Sequence, residues 1–157
     1  MKASSNNRIL MLLENQAYPQ DVRVRREANA LTEAIDRDAT SYDRVMAAFK
    51  LPQGDSAEIA KREEAIQTAT KGAAEVPLKV AERAVALFER LRQLETIAAA
   101  SMKSDLRVAR LMAEAGARGA IANVEINLDG IADTAYVLAK RRAVTELRDK
   151  LSATALA

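Results

Sequence analysis

A chain of 157 residues that is 49% apolar but only 3% aromatic, with no Trp, five Gly and three Pro, has the make-up of one all-α domain. It lacks Cys and His, which excludes disulfides, thiolate zinc sites and imidazole catalysis, so any acid–base chemistry falls to carboxylates, Lys or Tyr. The net charge of +2 comes from interleaved acids and bases without aromatics for base stacking, and no apolar run reaches membrane-span length; neither nucleic acid nor membrane is an expected partner.

In chain order, a polar opening precedes Ile9-Leu10-Met11-Leu12-Leu13, a short apolar run that periodicity alone leaves open between buried strand and helix edge. It is too short for a signal-peptide core, so a reducing cytoplasm is the expected location. Asn15 to Gln20 reads as a loop, with Asp21 as the N-cap of a long helix from Val22 to about Lys50. The apolar stripe of that helix is Val24, Ala28, Leu31, Ile35, Ala39, Tyr42, Met46 and Phe49. Leu51 to Asp55 ends it. A second helix starts at Asp55 or Ser56, with Glu58 in its first turn, and a break or kink is expected at Val76-Pro77.

From Pro77 to about Ala100 runs a stripe of Val80, Ala84, Leu87, Leu91, Leu94 and Ala98, then a turn at Ser101 to Ser104 in which either serine can cap the next helix. That helix, from Asp105 to Leu128, is apolar nearly all round, which marks it as the most buried. Asp129-Gly130 signals a turn, and a last helix runs from about Ile131 to Leu151. The whole reads as an antiparallel up-and-down helical bundle with an ambiguous N-terminal segment.

Two resemblances meet near Leu31 to Ala34. Asp38, Tyr42, Val45-Met46 and Ala48-Phe49-Lys50-Leu51-Pro52, then Ala69, Ala73-Ala74 and Val76-Pro77-Leu78, then Ser104-Asp105, then Asn123-Val124, Ile126-Asn127-Leu128 match in register the motifs of the α-helical folate cyclodeaminase/cyclohydrolase family. The chain from 34 to 157 resembles that family. The resemblance implies a homodimeric helical bundle that acts on a tetrahydrofolate derivative without a further cofactor. Its members either eliminate ammonia from formiminotetrahydrofolate or hydrolyse methenyltetrahydrofolate. A Gly-rich loop that helps build the family's folate site has no counterpart here, and a bundle lacking the family's first helix would leave apolar faces for a second copy to cover. Residues 8–34 instead resemble the first strand, loop and helix of a glycosyltransferase with two Rossmann-like domains, so the chain divides into an N-terminal segment 1–33 and a cyclodeaminase-like bundle 34–157.

Asp38 is the leading catalytic candidate. It shares a helical face with Tyr42, Val45 and Phe49, so its carboxylate would be partly desolvated and suited to exchanging protons with a ligand; the alternative is a solvated Asp paired with Arg37 or Arg44. Asn123 and Asn127, one turn apart near Gly116 and Ala120, would as buried amides either bind a ligand or cross-link helices. Asp105 lies on the same line but about 27 Å away along the axis, so it cannot share a reacting atom with Asn123; favouring the helix N-terminus is its other reading. Lys50 and Lys71 match basic family positions that could hold a folate glutamate tail, or could simply complement a helix end. Arg23, Arg25, Arg26 and Lys140-Arg141-Arg142 could attract polyglutamate or form solvated faces. The competing functions are a folate cyclodeaminase or cyclohydrolase, a non-catalytic dimeric helical structural or interaction protein, and, least favoured, a glycosyltransferase fragment.

Overall fold

The computed structural model describes the backbone of residues 19–152 and the side chains of Arg26 and residues 29–152. Ile9 to Leu13, the ambiguous run, lies outside the described residues. Within them the chain is all-α, with four helices and no strand: α1 (Pro19–Phe49), α2 (Ser56–Ile97), α3 (Lys103–Leu128) and α4 (Thr134–Ser152). The expected fold class stands. None of these helices is long and apolar enough to cross a membrane.

Pro19, Gln20 and Asp21 are helical, so the last two residues of the expected loop and the expected N-cap belong to α1 itself, where the fixed φ of proline suits a first turn; Asn15 to Tyr18 lie outside the described residues. The face that α1 lays on α2 is not the large apolar stripe but Ala34, Ser41 and Ala48, one residue every two turns. These small residues meet the Ala- and Gly-rich first half of α2, while Ile35, Tyr42, Met46 and Phe49 stay exposed. The hydroxyl of Ser41 is satisfied within its own helix, donating to the Asp38 carbonyl at 2.8 Å. α1 stops where expected, and Arg62 of α2 donates from Nε and Nη2 to the Phe49 carbonyl, each at 3.3 Å, with its guanidinium 5.7 Å from the Phe49 ring centroid. A cation on a terminal carbonyl satisfies the helix end.

α2 starts as expected. The Asp55 carboxylate accepts from Glu58 N at 2.8 Å, and Glu58 Oε2 accepts from Gly54 N at 2.8 Å, so two donors at the helix start are satisfied reciprocally. The break expected at Val76-Pro77 does not occur, and α2 continues for 42 residues with Pro77 inside it. A proline in mid-helix costs about 3 kcal/mol, but Ala73, Ala74, Pro77, Leu78 and Ala81 are all buried, and their packing against neighbouring helices holds the segment helical.

α2 is also the most buried helix, which corrects the expectation for α3. It supplies Ala74, Leu78, Ala81, Ala84, Val85, Phe88 and Leu91 to the main core, where Ala113, Ala117, Ile121, Val124 and Leu128 of α3 and Val144, Leu147 and Leu151 of α4 meet them. α3 buries one face only. The turn before it is a short 3-10 helix, Ala100–Met102, that runs directly into α3; Met102 is in the right-handed helical region, so no extended residue is left for Ser101 or Ser104 to act as a side-chain cap.

The Asp129-Gly130 turn is present, but α4 begins three residues later than expected. Ile131 is spent as a buried plug, and Gln67 of α2 clamps the loop by donating to the Gly130 carbonyl at 3.2 Å and accepting from Ala132 N at 2.9 Å. Asp133 then caps the helix, its carboxylate accepting from Tyr136 N at 3.0 Å.

Candidate functional site

α1 and α3 both pack on α2, and between them runs a groove of about 360 Å³ floored by Pro77 and Val80. Its α1 wall is Leu31, Ala34, Ile35 and Asp38; its α3 wall is Gly116, Gly119, Ala120 and Asn123. Asp38 and Asn123, 85 residues apart in sequence, therefore face one depression. Gly116 and Ala120, the small residues singled out beside Asn123, lie in its wall together with Gly119, and nothing stands within 4 Å of where a Cβ would sit on either glycine.

Two expectations about these side chains need correction. Asp38 is exposed, not partly buried, because among the described residues three helices meet here and the mouth of the groove is open. Its alternative partner Arg37 instead pairs with Glu33 at 3.1 Å. Asn123 is likewise exposed and Asn127 half-buried, and the two amides bond to each other: Asn127 Nδ2 donates to the Asn123 carbonyl at 2.9 Å and to Asn123 Oδ1 at 3.0 Å. They cross-link no helices. The internal bond leaves Asn123 held in place at the groove wall by Asn127 behind it.

The remaining candidates are dispersed. Tyr42 is exposed one turn beyond Asp38 on α1, Lys50 follows the C-terminus of α1 where a cation complements the helix end, and Asp105 sits in the first turn of α3 where a carboxylate does the same. Lys71 lies on the far side of α2 against α4, its ammonium 2.8 Å from Asp133 Oδ2 and 5.3 Å from the Tyr136 ring centroid. Lys140, Arg141 and Arg142 are each matched by a carboxylate, from Glu75, Asp129 and Glu146 respectively. As a solvated and paired face they leave no basic patch.

Two features were not legible in the sequence. One is a polar cluster joining α2 to α4, in which the Tyr136 hydroxyl donates to Glu75 Oε1 at 2.7 Å and Lys140 pairs with the same carboxylate. Burial alone would raise the Glu75 pKa, but the hydrogen bonds from Lys140 and Tyr136 outweigh it and hold the carboxyl below its ordinary range. Burial, and then the hydrogen bond to Glu75, push the Tyr136 phenol well above its usual value of 10.0. A phenol whose folded pKa is raised contributes stability that is present below the unfolded pKa and lost as pH rises beyond it. The thermal midpoint should thus fall above about pH 10, and Tyr136→Phe should remove part of that fall; an identical alkaline profile in both proteins would contradict the cluster.

The other feature is a wider depression of about 950 Å³ between α1 and the first half of α2. Ala47, Ala48, Ala65 and Ala69 pave it, and Arg37, Arg44 and Lys61 share its rim with Asp36 and Glu64. It is larger than the α1–α3 groove but holds none of the expected catalytic or amide groups, and its mixed rim charges largely offset one another.

Against known proteins, residues 14–146 match the family described as formiminotransferase-cyclodeaminase. The match begins ahead of the boundary placed at residue 34, and α1 runs without interruption across that boundary. The formimidoyltransferase-cyclodeaminase of Sus scrofa is 33% identical over 117 residues, 74% of this chain and 22% of that protein. The Rattus norvegicus protein of the same name is 35% identical over the same shares. The methenyltetrahydrofolate cyclohydrolase of Methylorubrum extorquens is 37% identical over 109 residues, 68% of this chain and 51% of that protein. The chain thus spans about a fifth of the mammalian relatives and half of the bacterial one.

Proposed function

Because this chain belongs to the formiminotransferase-cyclodeaminase family, we propose that it works on the one-carbon unit of a tetrahydrofolate derivative, as a cyclodeaminase or a methenyltetrahydrofolate cyclohydrolase. The observation that carries the reading beyond family membership is the groove in which Asp38 of α1 and Asn123 of α3 converge over a floor of Pro77 and Val80. An apolar floor and one glycine-lined wall suit a flat ring, and a carboxylate with an amide opposite suits proton transfer beside hydrogen-bonded positioning.

In the hydrolytic reaction the Asp38 carboxylate takes a proton from water as the oxygen bonds to the methenyl carbon. The ring C–N bond then breaks as the new hydroxyl gives its proton to solvent and becomes the formyl carbonyl, and the proton held by Asp38 passes to the departing nitrogen. In the cyclodeaminase reaction the same carboxylate takes the proton of the exocyclic nitrogen that attacks the formimino carbon and delivers it to the amine that leaves that carbon as ammonia. Asn123, steadied by Asn127, hydrogen-bonds the ring, and Tyr42 extends the α1 wall. Lys50 is a candidate for the anionic glutamate tail; Lys71, held by Asp133, and Asp105 stand apart from the groove. The working unit is a homodimer, since the large apolar residues of α1 and α3 are left on the surface of a single copy.

Turnover of methenyltetrahydrofolate and of formiminotetrahydrofolate, each measured by absorbance, tests the reading. Catalysed turnover of one of them is expected. No acceleration of either over the buffer rate would favour instead a non-catalytic dimeric bundle.

A further inference from the structure

We propose that Pro77 and Gly116 are specificity residues of the α1–α3 groove, each baring main chain to a flat heterocycle. Pro77 frees the Ala73 carbonyl to accept a hydrogen bond from a ring N–H, and Gly116 lets the ring lie against the backbone of α3. The inference rests on the reading of the groove as a folate site, the pterin of a folate being such a ring.

Four residues of the described helices are poor helix formers at interior positions: Gly72 and Pro77 in α2, Gly116 and Gly119 in α3. α4 has none, and α1 has only Pro19, at its first position, where proline is at home. Pro77, Gly116 and Gly119 all line this one groove, and Gly72 lines the wider depression. Residues that weaken two different helices thus converge on one space of ligand size.

Packing within the chain does not call for the glycines. Glycine inside a helix commonly admits a second backbone at close range. Here a Cβ on Gly116 or Gly119 would meet nothing within 4 Å, neither residue takes the left-handed backbone, and both are exposed. Across the groove, α1 stays clear of them. Alanine would fit at both positions and strengthen α3. What the missing side chain leaves at Gly116 is room against the main chain, two turns before Asn123 on the same wall.

Pro77 acts on the floor in a different way. It has no N–H, so the Ala73 carbonyl, four residues earlier, lacks the donor that an α-helix supplies. Helical carbonyls point toward the C-terminus, which aims this one along α2 at the Pro77 ring. Ala73 and Pro77 are both buried, and a buried carbonyl oxygen is rarely left without a partner. A ring lying on Pro77 and Val80 brings its edge toward that oxygen. The groove then offers two acceptors, the Ala73 carbonyl and the Asp38 carboxylate, and the side-chain amide of Asn123. A heterocycle with an N–H edge matches that set, and an apolar ring of the same size leaves the acceptors unpaired.

Pterin alone, followed by its own fluorescence, is the probe, since the chain has no Trp to interfere. The unmodified full chain should bind it. Pro77→Ala and Pro77→Val both return an N–H to the Ala73 carbonyl, and valine keeps apolar bulk on the floor. Each should weaken binding about tenfold, the worth of one hydrogen bond. Gly116→Ala should weaken it at least tenfold. Both alanine variants should keep their helix content and melt higher than the unmodified chain, Gly116→Ala by about 2–4 °C. A lower midpoint in either would mean that these residues serve the fold, and would overturn the inference. So would pterin binding left unchanged by Gly116→Ala or Pro77→Ala, a loss on Pro77→Ala that Pro77→Val restores, or no pterin binding by the unmodified chain. Turnover is a separate readout. Pterin binding with the expected variant pattern but no turnover of either folate would count against the proposed chemistry alone, and turnover with binding indifferent to the variants would count against this inference alone.

Discussion

Replacing Asp38 by Asn should lower turnover of the folate substrate by about 10²–10⁴-fold, the range for removing a general acid–base group, with little change in thermal midpoint. The two halves of that expectation have separate causes. The amide keeps the shape and hydrogen-bonding reach of the side chain but cannot take up a proton. Asp38 is also exposed and no core contact depends on it, so the bundle should fold as before. If the variant turns over substrate at the unmodified rate, Asp38 leaves the mechanism. A loss of activity that tracks a loss of helix content would show a structural role instead.

The opposite pattern is expected of Phe88→Ala. Phe88 is 1% exposed at the centre of the core, where α2 meets α3, and is one of only two phenylalanines in the chain. Truncation removes its burial and leaves a cavity that the surrounding Ala-rich helices have few flexible side chains to fill, at a cost of about 3–5 kcal/mol. It also removes the ring 5.7 Å below the guanidinium of Arg110, which Glu95 holds through bonds of 3.1 Å from Nε to both carboxylate oxygens. For a chain of this size the thermal midpoint should fall by about 10 °C. A shift of less than about 2 °C would mean that the core collapses around the gap, or that Phe88 is less central than its burial indicates.

The limits of the helices and the character of the core were legible to different degrees. The end of α1 at Phe49 and the start of α2 at Asp55 could be read because the signals are local: Pro52, Gly54, Asp55 and Glu58 are close neighbours along the chain and act on one another directly. Pro77 misled for the same reason. Its local effect is to break a helix, but the buried alanines around it belong to contacts with other helices, and packing outweighs the local cost. The apolar periodicity of α1 and α3 was visible, but periodicity shows that a face is apolar and not what covers it. In α1 the small residues Ala34, Ser41 and Ala48 take the buried position that the large ones were expected to hold.

The candidate site divides in the same way. Asp38 and Asn123 could each be singled out from helical spacing and motif, yet their sharing of a groove depends on how α1 and α3 lie across α2, which no spacing along the chain encodes. The bond between Asn123 and Asn127 is local and arises from their four-residue separation. The Glu75–Tyr136–Lys140 cluster joins Glu75 to residues more than sixty positions away, and neither Glu75 nor Lys140 alone differs from an ordinary surface residue of an amphipathic helix, while Tyr136 reads as one more member of an apolar face.

The place where a folate binds decides whether Asp38 and Asn123 act together. The most direct test is a crystal structure of the full chain soaked with a tetrahydrofolate derivative. The expected density lies between α1 and α3, with the pterin over Pro77 and Val80, the Asp38 carboxylate at the reacting carbon or nitrogen and Asn123 bonded to the ring. Density confined to the wider depression beside Arg37, Arg44 and Lys61, or an empty α1–α3 groove at saturating ligand, would contradict it.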